Sequence, residues 1–205
     1  QALDGLAATM ESDNHAAVQA TVRLLAELKL KEAAPALRAL LARRPSLDVA
    51  EALAALGDAA GEELLANAMR RGSRPEQIRA VTHFLARDAA HPEAVEALEN
   101  LLRASTENDV YALMAPVRSA FGAGDPQRRR IIAALAARLT PANAPSLILL
   151  LREGTGLDFG YEEAFQSGLA PAEREARLAR MVAAWKDALA PLPTDKRHPA
   201  PPPRE

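Results

Sequence analysis

Leu24-Leu25-Ala26-Glu27-Leu28 and Ala52-Leu53-Ala54-Ala55-Leu56 stand 28 positions apart, and each is followed by a short link and a second apolar-striped stretch. Those second stretches read Ala34-Pro35-Ala36-Leu37-Arg38-Ala39-Leu40-Leu41 and Glu62-Glu63-Leu64-Leu65-Ala66-Asn67-Ala68-Met69. A third copy sets residues 81–85 before Glu96-Ala97-Leu98-Glu99-Asn100-Leu101-Leu102. A later one sets residues 132–139 before Ala144-Pro145-Ser146-Leu147-Ile148-Leu149-Leu150-Leu151, a close match to residues 34–41 at an offset of 110. A helix pair recurring every ~30 residues cannot bury its apolar face alone, but stacked pairs share one continuous core.

The pattern extends in both directions from these stretches. Val18, Val22, Leu25 and Leu28, with Leu24, recur at spacings of three and four, which predicts a helix capped by Asp13 or Asn14. A second helix is expected over 32–43, closed by Pro45. Ser46 should cap 47–56, with Gly57 as its C-terminal glycine. Helices over 61–71, 75–87 and 92–104 follow, stopped by Gly72 or opened by Pro75 and Pro92. Asp109 should cap a helix running to residue 121, which Gly122 and Gly124 end. Asp125-Pro126 opens 127–139, and Pro141 precedes a helix running to 152. No segment joins β-branched enrichment to strict alternation, so no strand is expected.

Composition agrees with the pattern. Hydrophobic residues make up 49% of 205 positions while aromatics make up only 3%, so the core must be built from small and aliphatic helix formers. The chain has no cysteine, which excludes disulfides, thiolate metal sites and a cysteine nucleophile. No apolar run approaches the roughly 18 residues that span a bilayer. A formal net charge of -2 argues against non-specific nucleic-acid binding, which rests on neutralising phosphates.

Leu56-Gly57-Asp58-Ala59-Ala60 resembles the Leu-Gly-Asp-Ala signature of HEAT repeats, of the short bacterial type related to those in phycobilisome lyases. The match is looser elsewhere: Leu28 is followed by Lys29 and Leu85 by Ala86. The resemblance covers residues 14 to 152. It implies an all-α fold, a right-handed α-α superhelix or HEAT-like solenoid of about four to five helix pairs, and it implies no activity. Thr155-Gly156-Leu157-Asp158-Phe159-Gly160-Tyr161 resembles a closing loop of some bacterial HEAT-like proteins, where a capping helix follows. The organisation expected is therefore a repeat array over 1–152, an aromatic loop and C-terminal capping helix over 153–189, and a Pro-rich tail over 190–205. Phe159, Tyr161, Phe165 and Trp185 hold four of the seven aromatics, bulky enough to cover an exposed end of the stack. The tail has no apolar period and should be disordered or polyproline II, serving as a linker.

The chemistry of catalysis is sparse. His15, His83, His91 and His198 stand in no metal-ligand spacing, and His83 and His91 are expected to flank a helix end. No nucleophile elbow or phosphate-binding glycine pattern occurs. Carboxylate pairs such as Glu62-Glu63 and Glu162-Glu163 are expected to complement helix N-termini. No catalytic residue, metal site or cofactor is therefore expected.

Aligning the second helices sets Arg70, Arg103 and Arg152 in one column and Asn67 and Asn100 in another, one turn earlier. In HEAT stacks the second helices line the concave face, so these five are the candidate binding residues. The guanidinium fork suits an acidic or phosphate-bearing surface, although an arginine in a last turn also complements the helix dipole. Arg128-Arg129-Arg130 falls in a first turn, where the dipole disfavours it, and reads as a solvated face. A monomeric, non-catalytic scaffold for an unidentified protein or peptide is the reading these features favour. An enzyme of the HEAT-like lyase or DNA glycosylase type is the alternative. A start at Gln1 and a Pro-rich end favour a periplasmic or secreted setting over a cytoplasmic one.

Overall fold

A computed structural model describes residues 14–104, 110–160 and 167–189, with Gly5, Thr9, Met10 and Ser12 ahead of them. Asp13, Asp109, Tyr161, Glu162, Glu163, Phe165, His198 and the tail 190–205 lie outside the described residues. Ten α-helices occur among those described, and no strand. They are α1 (His15–Glu27), α2 (Ala34–Arg43), α3 (Leu47–Ala55), α4 (Ala59–Arg71) and α5 (Arg74–Arg87), then α6 (Pro92–Arg103), α7 (Val110–Phe121), α8 (Asp125–Arg138), α9 (Ala144–Thr155) and α10 (Pro171–Leu189). A 3₁₀ turn over Lys31–Ala33 leads into α2.

Local chemistry sets most helix ends. Asn14 and Ser46 each accept a backbone N–H with a side-chain oxygen, from Ala17 and Val49 respectively. Ser73 and Glu76 form a capping box at the head of α5, and Pro75 occupies its first turn. Gly57 takes φ +81 beyond α3, the left-handed conformation that glycine enters at least cost. Gly156 ends α9 in the same way at φ +71. α4 starts two residues before the predicted residue 61, because Asp58 accepts from Ala60 N at 3.0 Å and captures the helix earlier. α8 likewise starts at Asp125, and α9 runs on to Thr155.

The helices pack in two layers. In the first, α1 packs on α3, α3 on α5, α5 on α7 and α7 on α9. In the second, α4 packs on α6, α6 on α8 and α8 on α10. Consecutive helices meet across the layers from α2 to α9. This alternation is consistent with a helical repeat. One apolar cluster fills the space between the layers, from Met10 and Val18 to Met181, Val182 and Trp185. Each fully buried leucine in it contributes about 1.5–3 kcal/mol. α8 is buried on several sides (Ile131, Ile132, Ala134, Leu135, Ala136), because it touches α6, α7, α9 and α10.

At the C-terminal side α10 packs on α8. Trp185 is completely buried, and Phe159 meets its ring edge-on at a centroid distance of 4.9 Å. These two of the four predicted capping aromatics are brought together.

Candidate functional site

A groove of about 560 Å³ opens between α4 and α6, two helices of one layer that touch only sparsely. α6 contributes a single stripe at helical spacing: Glu93, Glu96 and Ala97, Asn100 and Leu101, then Ala104 just beyond its end. The last turn of α4 supplies Met69 and Arg70, and the first turn of α5 supplies Arg74 and Gln77. Met69 and Leu101 are buried and, with Ala97, form an apolar floor. The rim is polar. Arg70 reaches Glu93 at 3.1 Å with both side chains more than half exposed, so the pair is worth at most about 1 kcal/mol. Arg74 donates to the Leu101 carbonyl at 3.0 Å, which ties the start of α5 to the last turn of α6.

Two of the five candidate residues, Arg70 and Asn100, therefore meet in this groove. Arg103 stands beside it. It donates to Asn100 Oδ1 at 3.2 Å and to Glu99 Oε2 at 3.2 Å. Asn67 is exposed on α4 but does not line the groove. Arg152 lies elsewhere. It sits on α9, in the first layer, and pairs with Asp158 at 2.9 Å. The alignment that joined it to Arg70 and Arg103 treated residues 144–151 as a second-layer helix. The intervening helix α7 shifts the count by one, so α9 packs on α7.

Sequence reasoning missed the residues that complete the groove: Arg74, Gln77, Glu93 and Glu96. The stripe on α6 was legible as a spacing of three and four. Nothing in the sequence showed that α4 would leave it uncovered.

Several charged side chains join helices, among them Arg130 of the triplet that reads as a solvated face. Glu99 is 4% exposed, and its carboxylate is held by Arg103 from its own helix and by Arg130 of α8 at 2.7 Å. That contact locks α6 to α8 and gives one of the three consecutive arginines a structural role. Asp58, also buried, binds Arg38 at 2.6 Å and so ties α2 to the head of α4. The Arg38 hydrogen bond holds the Asp58 carboxyl below the usual carboxylate range, with burial opposing it. On the outer side of the first layer a polar ladder links three helices. Gln19 of α1 donates to Asp48 of α3 at 3.1 Å. Arg79 of α5 grips Glu51 with two bonds of 2.7 Å and also binds Asp48. Two shallow grooves of about 430 Å³ flank this ladder, but their charged groups are largely engaged with one another.

The histidines take individual roles. His91 caps α6, its Nδ1 accepting from Ala94 N at 3.3 Å. His83 lies within α5 rather than at a helix end, and burial pushes its imidazole below the ordinary histidine value. Among the described residues no group of three or more His, Asp or Glu is placed to hold a metal ion. No helix of the described residues is long and apolar enough to cross a membrane.

Comparison with known proteins adds no further guide. No family model matches the chain, and no curated protein or solved structure matches it either.

Proposed function

We propose that this protein is a non-catalytic scaffold that binds another protein, built as a right-handed HEAT-like solenoid of five helix pairs with α10 as the last. The groove between α4 and α6 carries the reading. It joins an apolar floor of Met69, Ala97 and Leu101 to a polar rim of Arg70, Arg74, Gln77, Glu93, Glu96 and Asn100, the composition of a recognition patch with a dry centre and a wet edge. Its walls come from three helices that pack into a shared core, so the surface is held in place before a partner arrives. Two-layered helical packing supports the solenoid, and the Leu56-Gly57-Asp58-Ala59 signature supports the HEAT type.

A photo-cross-linking amino acid tests the reading. Placed at Asn100, in the groove, it should capture one partner polypeptide in the producing cells. Placed at Arg23, exposed on the opposite layer, it should not capture that partner. Equal capture from both positions, or turnover of a small substrate with no capture from Asn100, would remove the scaffold reading.

A further inference from the structure

We infer that the stack hinges between the α3–α4 pair and the α5–α6 pair, and that Arg79 is the latch that holds this joint at one angle. Packing is uneven along the chain. α5 packs closely on α7 and α6 on α8, which makes the helices from α5 onward one firm body. α3 and α4 pack closely on each other, and α1 joins them through α3. Between these two bodies both layers thin out: α3 meets α5, and α4 meets α6, only sparsely. Close packing across the joint is confined to α4 against α5, two helices joined by the short link Gly72–Ser73. One well-packed helix pair with sparse contact on either side of it is a pivot, because rotation about it displaces few buried apolar atoms.

A gap lies on each side of the pivot. In the second layer it is the α4–α6 groove. In the first it is a hollow of about 430 Å³ between α1, α3 and α5, with Asp48, Glu51, Arg79 and His83 in its lining. Rotation about the α4–α5 contact that widens one gap narrows the other. Charge bridges both. Arg79 reaches from α5 to two carboxylates of α3, Glu51 with bonds of 2.7 Å and Asp48, and all three side chains are partly shielded from water. The second-layer bridge is the single, more exposed Arg70–Glu93 pair. A shielded two-pronged guanidinium contact outweighs an exposed single one, so the first-layer side sets the angle. Without Arg79, Asp48 keeps Gln19 as its partner, and Glu51 keeps none among the described residues. Both carboxylates then need water, which the gap admits only by opening. While the latch is closed the α4–α6 groove keeps its width, and the hinge does not depend on what that groove binds.

The chain has no cysteine, so introduced cysteine pairs carry nitroxide labels without background, and pulsed electron paramagnetic resonance reads the distance between them. Ala20→Cys with Ala115→Cys spans the joint along the first layer, and Ala39→Cys with Ala133→Cys spans it along the second; all four side chains are exposed. Packed helices stand about 8–10 Å apart, so each pair spans about 25–30 Å. Ala86→Cys with Leu149→Cys, both exposed and both in the firm body, is the control. In the Arg79→Gln protein the first-layer distance should lengthen and the second-layer distance shorten. Each should change by about 3 Å, the width of the water layer that hydrates the freed carboxylates. Over the ~10 Å between neighbouring helices this is a rotation of about 15–20°. The control distance should stay as it is. Readings are taken at about pH 7.5, where burial keeps His83, the other α5 base in the hollow, neutral. Unlatched wild type gives a second measurement: in about 1 M sodium chloride, which cuts the screening length to about 3 Å, its two distances should move in the same senses by less. A folded Arg79→Gln protein with unchanged distances, two distances that move in the same sense, or a control that moves as far would overturn the hinge. If the variant does not fold, the salt series decides, and unchanged distances there would overturn it.

Discussion

Replacing Gly61 by alanine adds one methyl group where α4 crosses α3, and the structure leaves no space for it. A Cβ on Gly61 would lie 2.6 Å from the Ala54 amide nitrogen and 2.7 Å from Leu53 Cβ, and it would collide with the Ala50 carbonyl oxygen as well. Non-bonded heavy atoms settle at about 3.5–4.0 Å, so the helices must separate by most of an ångström. Two of the three obstacles are backbone atoms of α3, which cannot rotate aside. Overpacking of this kind costs about 1–3 kcal/mol and more where nothing yields. Alanine returns about 1 kcal/mol through its better helix propensity. The upper part of the overpacking range, less that gain, leaves a net destabilisation of about 1–2 kcal/mol. For a chain of this length each kcal/mol lowers Tm by about 2–4 °C, so Gly61→Ala should melt about 2–8 °C below the wild type by circular dichroism. Its urea midpoint should fall with an unchanged slope. Gly124→Ala is the control. Its nearest foreign atoms lie 3.9 Å away and its φ is −61, so Tm should move by no more than about 2 °C. A Gly61→Ala protein as stable as the wild type would refute the close crossing of α3 and α4.

Other contacts give further expectations. Asp58→Ala removes both the cap of α4 and the anchor of Arg38 and should cost about 1–2 kcal/mol in urea unfolding, whereas Asp58→Asn, which can still cap, should cost less. Because the folded Asp58 pKa is lowered, its stabilisation is complete above the unfolded value and is lost as pH falls through the folded one; either variant should flatten the loss of stability below about pH 4, and an unchanged acid limb would count against the Arg38 contact. His83 titrates at higher pH. Its depressed folded pKa means that the unfolded chain binds the extra proton, so stability drops as pH falls below about 6.5, and His83→Phe should show a smaller drop in Tm between pH 7.5 and 5.5 than the wild type. Glu99→Gln should cost about 1–2 kcal/mol by weakening two charge-assisted bonds, with Arg130→Gln nearly additive only if the two side chains do not interact, as a double-mutant cycle would read. Trp185→Ala should cost about 3–5 kcal/mol, and a loss below about 1 kcal/mol would mean that α10 does not pack on α8.

The all-helical character and most helix ends followed from local chemistry. Asn14, Ser46 and Ser73 each place an oxygen where the first free amides of a helix need one, and prolines at 75, 92 and 126 fit only first turns. Those interactions span three or four residues, so the linear order of the chain contains them. Of the stripe read over residues 18–28, Val18, Val22 and Leu25 are buried, whereas Leu24 and Leu28 are exposed. The groove itself was legible only in part. Arg70 and Asn100 stood out through alignment of the second helices, but Arg74, Gln77, Glu93 and Glu96 join them only because α4 and α6 diverge.

Membership of a layer was decided by tertiary packing. A first-layer helix and a second-layer helix each bury one stripe of alanine and leucine, so their sequences carry the same period. Residues 144–151 look like residues 34–41, yet they pack on α7, and Arg152 goes with them to Asp158. The Glu99–Arg130 contact spans 31 positions and depends on how far α8 leans on α6. Periodicity tells a helix which face to bury; only the assembled neighbours determine what it is buried against, and therefore which polar faces stay open to a partner.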